Sequence, residues 1–260
     1  MEFPDSSHLS AAIADPRFVA AIGITLLSGV VRGFSGFGSA LIYIPLASAA
    51  YGPKAAAAAF VLIDFFCTIP LAIRAWPACN KREVLPLTLA CALTIPFGAL
   101  LLLHVDPTWV RWGIAALILG LLAVLFSGWR YRGQASLPLT IGVGLISGIT
   151  GGATTLTGPI AIIYWLGSAS GAAVVRANLI VFFLLTDALV STTYYAQGLL
   201  TSEALSLVLL TALPFLLALG AGARLFRGAS DLTYRRTAYA IVALAALVSL
   251  PIFDGLLRGR

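Results

Sequence analysis

The chain has 260 residues, of which 60% are hydrophobic and only 10% charged, with a net charge of +6. Ordinary soluble domains carry about 25% charged residues, and a soluble fold of this length has no interior able to hide so much apolar surface. The positive balance does not mark a nucleic-acid binder either, because Lys and Arg stand singly or in small groups between apolar runs and build no basic face.

Residues 1–17 form a short N-terminal segment. It is acidic (Glu2, Asp5, Asp15) and lacks the basic start of a cleavable signal, so the mature chain is expected to begin at or near Met1. Eight apolar segments follow: Phe18 to Ala50, Ala55 to Trp76, Val84 to Leu103 and Trp109 to Ser127, then Leu137 to Leu166, Val174 to Tyr195, Ala204 to Ala223 and Tyr239 to Phe253. Most approach the roughly 20 residues that a helix needs to cross about 30 Å of hydrocarbon. Long runs without strand-like alternation predict a helical bundle and not a barrel. A polar connector at 130–136 separates a first unit, 18–129, from a second, 137–253, and a tail covers 254–260. Trp76, Trp109 and Trp129 fall at segment ends, where interfacial aromatics belong.

Segments one and five are too long for one upright helix, and each carries a glycine cluster followed by proline. The first reads Gly33-Phe34-Ser35-Gly36-Phe37-Gly38, then Pro45. The second reads Gly148-Ile149-Thr150-Gly151-Gly152, then Pro159. Glycine costs a helix interior about 1 kcal/mol and proline about 3, so each cluster predicts a break or a re-entrant turn, sheltered by protein or a cavity.

The clusters expose an internal repeat. Ser28-Gly29 matches Ser147-Gly148, Asp64 matches Asp187, and Pro96-Phe97 matches Pro214-Phe215. Asp106-Pro107-Thr108-Trp109-Val110-Arg111 matches Asp231-Leu232-Thr233-Tyr234-Arg235-Arg236, all in the same order. Arg74, Lys81 and Arg82 fill a loop whose second copy has no Lys or Arg. Arg224, Arg227, Arg235 and Arg236 fill one whose first copy has none. Cytoplasmic loops attract Lys and Arg, so the two units are expected to be inverted in the membrane. With segments one and five as hairpins, nine Lys or Arg lie inside and four outside, Arg32, Arg111 and Arg176 left out, against eight and five for eight plain crossings. The expected fold is an all-α polytopic membrane protein of two homologous four-segment repeats, inverted, each opening on a broken or re-entrant segment.

Intramembrane charge needs a reason. Arg32 stands beside the first cluster, and a guanidinium there, with the Ser35 and Ser39 hydroxyls and freed backbone N–H groups, makes an anion cradle. The second cluster offers Thr150, Thr154, Thr155 and Thr157. If the turns meet, the expected substrate-binding set is Arg32, Gly33, Ser35, Gly36, Gly38, Ser39, Thr150, Gly151, Gly152, Thr154 and Thr155. The alternative for Arg32 is structural: it neutralises Asp64 or caps a helix end. Asp64 and Asp187, in apolar surroundings, are candidates for carrying a coupling proton or, equally, for structural pairing with Arg32 or Arg176. Arg111 and Arg236 follow Asp-x-Thr at helix starts, an ordinary N-cap pattern, and Gly29-x-x-x-Gly33 also suits close helix packing.

No catalytic constellation, P-loop or metal motif is present. Cys67, Cys79 and Cys91 are scattered and read as packing residues. No enzyme activity, cofactor or metal is expected. The expected partners are a small anion, a coupling ion (a proton) and the lipid bilayer, with no nucleic acid; a homo-oligomer is compatible.

The paired glycine-to-proline segments (Gly33 to Pro45, Gly148 to Pro159), the duplication and the proline-containing third segment of each unit resemble the TauE/SafE, or sulfite exporter, family of membrane permeases. The resemblance spans nearly the whole chain. It implies a bacterial inner-membrane transporter of small sulfur anions such as sulfite or sulfoacetate, driven by an ion gradient. The threonine-rich second cluster, with glycine-to-proline spacing one residue different from the first, departs from the pattern at the pocket lining. Alternatives are a passive anion channel, a membrane-embedded lipid-modifying enzyme and an accessory subunit.

Overall fold

The computed structural model describes residues 10, 12–127, 136–168, 170–226, 230, 232–234, 236–237, 240–241 and 244. Among the described residues, nine long or mid-length helices lie between 17 and 226: α1 Arg17–Ser35, α2 Ser39–Tyr51, α3 Pro53–Ala75, α4 Lys81–His104, α5 Pro107–Phe126, α6 Leu137–Thr154, α7 Gly158–Leu166, α8 Ala172–Ala196 and α9 Ser202–Phe226. Seven of them, all but α2 and α7, are long and apolar enough to cross a membrane. The chain is a multi-pass membrane protein. The eighth expected segment, Tyr239 to Phe253, lies largely outside the described residues, as do Trp129 and most of the connector and the two tails.

Segments one and five are broken where glycine and threonine interrupt them. In the first, α1 ends at Ser35 and α2 starts at Ser39; in the fifth, α6 ends at Thr154 and α7 starts at Gly158. The arms are unequal, 19 residues against 13 and 18 against 9. At about 1.5 Å per residue, α1 and α6 reach roughly 29 and 27 Å.

Local sequence sets the other helix ends. Asn80 opens α4 as its N-cap: its Oδ1 accepts from Arg82 N, its side-chain amide donates to Glu83 Oε1 at 2.8 Å, and its backbone N–H donates to Asn178 Oδ1 at 2.6 Å. Asp106 caps α5 through Thr108 N at 2.8 Å, with Pro107 in the first turn, as Asp-x-Thr predicts. In the second copy, Ser230 accepts from Thr233 N at 3.1 Å. Trp76 is exposed at the end of α3 with the Lys81 ammonium 5.1 Å over its ring, and Trp109 is exposed at the start of α5. Both sit as interfacial anchors do.

The bundle is interleaved. The most extensive packing joins α4 to α6 and α1 to α9, and α3 crosses α8 at the centre. Each of these pairs draws one helix from 18–129 and one from 137–253. Small residues bring the backbones together: a Cβ on Gly33 would strike the Leu219 carbonyl and Ala223 N, and one on Gly152 would strike the Ile95 carbonyl and Ala99 N. Backbone contact of this kind is how helices associate where lipid removes the hydrophobic drive.

Candidate functional site

Both breaks leave backbone groups without helical partners in a part of the chain that is closed to solvent, and side chains take them up. At the end of α1, Gly36 turns into the left-handed region (φ 78°) and its N–H returns to the Arg32 carbonyl. Arg176 of α8 donates to the carbonyls of Gly33 and, at 2.9 Å, Phe34; Tyr234 Oη donates to that of Ser35 at 2.8 Å; and Arg32 Nη1 donates to that of Gly36 at 2.7 Å. The Arg176 guanidinium also lies 4.1 Å over the Phe226 ring. Arg176 therefore anchors the break and pairs with neither aspartate.

At the end of α6, Thr155 takes the same left-handed position (φ 58°), and its N–H returns to the Gly151 carbonyl at 2.7 Å. It is the one non-glycine residue with positive φ among the described residues, an outlier conformation for a β-branched side chain. Tyr194 Oη donates to the Gly152 carbonyl at 2.9 Å. Thr150 Oγ1 donates across the break to the Leu156 carbonyl, and Thr154 Oγ1 donates to the Thr150 carbonyl and accepts from Leu156 N.

Beyond each break a short helix begins. Neither α2 nor α7 has a side-chain cap hydrogen bond at its N-terminus, so first-turn N–H groups and the positive end of each macrodipole are left uncapped by side chains. The two N-termini face one cavity. Gly38, Ser39, Ala40 and Leu41 line it from α2; Thr155, Leu156, Gly158, Pro159 and Ile162 line it from the second break and α7; Arg32, Phe60, Asp64, Phe183 and Asp187 complete it. Its interior is small, with room for about one water molecule.

The charges on this wall are almost sealed: Arg32 is 1% exposed, Asp64 2% and Asp187 3%. Arg32 Nη2 lies 2.7 Å from Asp64 Oδ2, a close ion pair not aligned as a straight hydrogen bond. Its other nitrogens are engaged, Nη1 with the Gly36 carbonyl and Nε with Thr68 Oγ1 at 3.4 Å, and the Phe183 ring covers the guanidinium at 4.9 Å. Ser39 Oγ donates to Asp64 Oδ1 at 3.4 Å. Asp187 lines the same cavity as Asp64, and its Oδ2 has no hydrogen-bond partner. One guanidinium thus shares the cavity with two carboxyls beside two helix N-termini.

Of the residues expected from the sequence, the fold brings Arg32, Gly38, Ser39, Thr155, Asp64 and Asp187 to this cavity. Gly33 and Gly152 pack against α9 and α4, Gly36 against Arg176 and Ile180, and Gly151 against Thr157. Ser35 Oγ donates to the Val31 carbonyl at 2.7 Å and also lies against that of Phe37; Thr150 and Thr154 bond backbone as described. Both structural alternatives for Arg32, neutralising Asp64 and capping a helix end, are realised at once. Phe60 and Phe183 join them without any polar signal in the sequence beyond their spacing, each four residues before its aspartate.

Two comparisons, against curated proteins and against solved structures, give no match to this chain. A family model described as Sulfite exporter TauE/SafE matches residues 21–249.

Proposed function

We propose a transport function that starts from the family: this chain belongs to the Sulfite exporter TauE/SafE family, whose members are membrane transporters. The reading is a secondary transporter that carries a small anion, sulfite or an organosulfonate such as sulfoacetate, across the bacterial inner membrane by alternating access coupled to an ion gradient. The observation that carries it is the small cavity at which two uncapped helix N-termini and the buried Arg32 converge. Helix N-termini aimed at a buried point favour negative charge, and a guanidinium adds a directional donor.

In this reading Arg32 supplies the main positive charge, with Ser39, Thr155 and the backbone at Gly38 orienting oxygen atoms. Ser35, Gly33, Gly36, Thr150, Gly151, Gly152 and Thr154 act by shaping and bracing the two breaks. Asp64 or Asp187 carries the coupling proton. The reciprocal packing, α1 on α9 and α4 on α6 around α3 and α8, supports a duplicated and inverted origin of the two units. An inverted pair whose halves brace each other's broken helices suits rocking about a shared site.

The test is uptake of sulfite, sulfoacetate and sulfate by purified protein in liposomes, with and without an imposed pH gradient. Saturable, gradient-dependent movement of one sulfur anion, reduced at least tenfold by Arg32→Gln, is the expected result. Flux that neither saturates nor responds to the gradient would replace the transporter with a channel. Equal flux in Arg32→Gln would refute the site.

A further inference from the structure

We propose that Asp64 is a built-in competitor for the transported anion: its carboxylate occupies the Arg32 edge that substrate needs, so substrate binds only together with a proton. This deepens the transporter reading and rests on it. The argument begins with the guanidinium's inventory. Nε is turned to Thr68, Nη1 to the Gly36 carbonyl, and Phe183 covers one face. Nη2 is the nitrogen left for an anion, and Asp64 Oδ2 is 2.7 Å from it. The other Asp64 oxygen takes the Ser39 hydroxyl in the first turn of α2, another position an incoming anion would want. Asp64 stands where a sulfonate or sulfite oxygen would stand.

Two anions cannot share that edge in so small a space. A buried carboxylate pushed off its guanidinium without a replacement charge is costly. A proton is the replacement that needs no room. Asp187 lines the same cavity with Oδ2 unpartnered, so a second carboxyl stands beside the exchange. The remaining titratable groups nearby have other engagements. Cys67 on α3 donates to the Ala212 carbonyl of α9, Tyr43 of α2 packs on Phe60, and Arg176 is fixed at the Gly33 and Phe34 carbonyls.

The exchange balances. Before binding, Arg32 carries one positive charge and Asp64 one negative charge. A monoanion and a proton then enter from the same side; the proton goes to Asp64, the anion takes Nη2, and the site gains no net charge. Release on the other side reverses both steps, giving one proton per monovalent anion.

The experiment measures anion affinity against pH by calorimetry on the full-length protein in detergent, for wild type, Asp64→Asn and Arg32→Gln. Methanesulfonate is the first probe because its own charge does not change with pH; sulfite is run beside it, corrected for its own titration. In wild type, affinity should weaken about tenfold per pH unit on the alkaline limb, the slope for one linked proton. Asp64→Asn should bind with no pH slope and, at high pH, at least tenfold more tightly than wild type. Arg32→Gln should lose binding.

Wild-type binding that Asp64→Asn abolishes, or an unchanged slope in Asp64→Asn, overturns the competitor role and leaves the transporter reading intact. No binding of either probe to folded wild type and folded Asp64→Asn overturns both. Should Asp64→Asn fail to fold, proton uptake by wild type decides, read from binding heats in buffers of different ionisation enthalpy. About one proton per methanesulfonate supports the competitor, and none overturns it.

Discussion

Alanine at Gly33 should destabilise the protein while alanine at Gly23, ten residues earlier on the same helix, should not. A Cβ at Gly33 meets only backbone, the Leu219 carbonyl group and Ala223 N, the latter at 2.7 Å; at Gly23 there is nothing within 4 Å. Helix propensity favours alanine by up to about 1 kcal/mol at either position, so that contribution cancels in the comparison. What remains is the strain of forcing α1 away from α9, about 1–3 kcal/mol for one added methyl group in a closely packed interface. At about 2–4 °C per kcal/mol for a chain of this size, the midpoints should differ by about 2–12 °C. Thermal unfolding of the two variants in one mild detergent, followed by tryptophan fluorescence, measures that gap. Gly152→Ala against Gly142→Ala repeats the contrast on α6, where the first meets the Ile95 carbonyl and Ala99 N and the second meets nothing within 4 Å. Midpoints within about 1 °C of each other in both pairs would refute backbone contact as the basis of the interleaved packing.

Removing one distant hydroxyl should be felt at the second break. Tyr194→Phe takes the donor from the buried Gly152 carbonyl, and an unsatisfied buried acceptor costs about 1–3 kcal/mol; an unchanged melting midpoint would show that the break does not depend on it. The orientation of the units is open to labelling. Lys81→Cys and Arg227→Cys, read against a low background because Cys67, Cys79 and Cys91 are buried, should react from the same face of the membrane, and reaction from opposite faces would refute inversion.

Much of the architecture is legible along the chain because it depends on local chemistry. Asp106-Pro107-Thr108 announces the start of α5, and Asn80 with Glu83 opens α4, because a cap is made by residues within one turn. The two breaks are legible for the same reason: Gly36, Gly38 and the Thr155–Gly158 stretch interrupt runs that are otherwise helical. The first of the paired breaks falls inside a glycine cluster as read, whereas the second falls just after its cluster, at Thr155, because a threonine takes the left-handed position that a glycine takes in the first. That choice follows from packing about the break and not from propensity, which disfavours it.

The sequence by itself determined that this is a polytopic helical membrane protein, that its two long segments break and which few charges it buries, since each follows from composition or short-range spacing. Only the tertiary structure decided what those charges meet. Ser35, Thr150 and Thr154 turn to nearby backbone, while Phe183, Tyr194 and Arg176 reach the breaks from α8. The reason is that α1, α3, α4, α6, α8 and α9 pack across the two units. At the first break the side chain that completes it therefore comes from the other unit, more than a hundred residues away, whereas at the second it comes from within the same unit, about forty residues on. A guanidinium's edge becomes a binding site or an ion pair according to which carboxylate that packing sets against it.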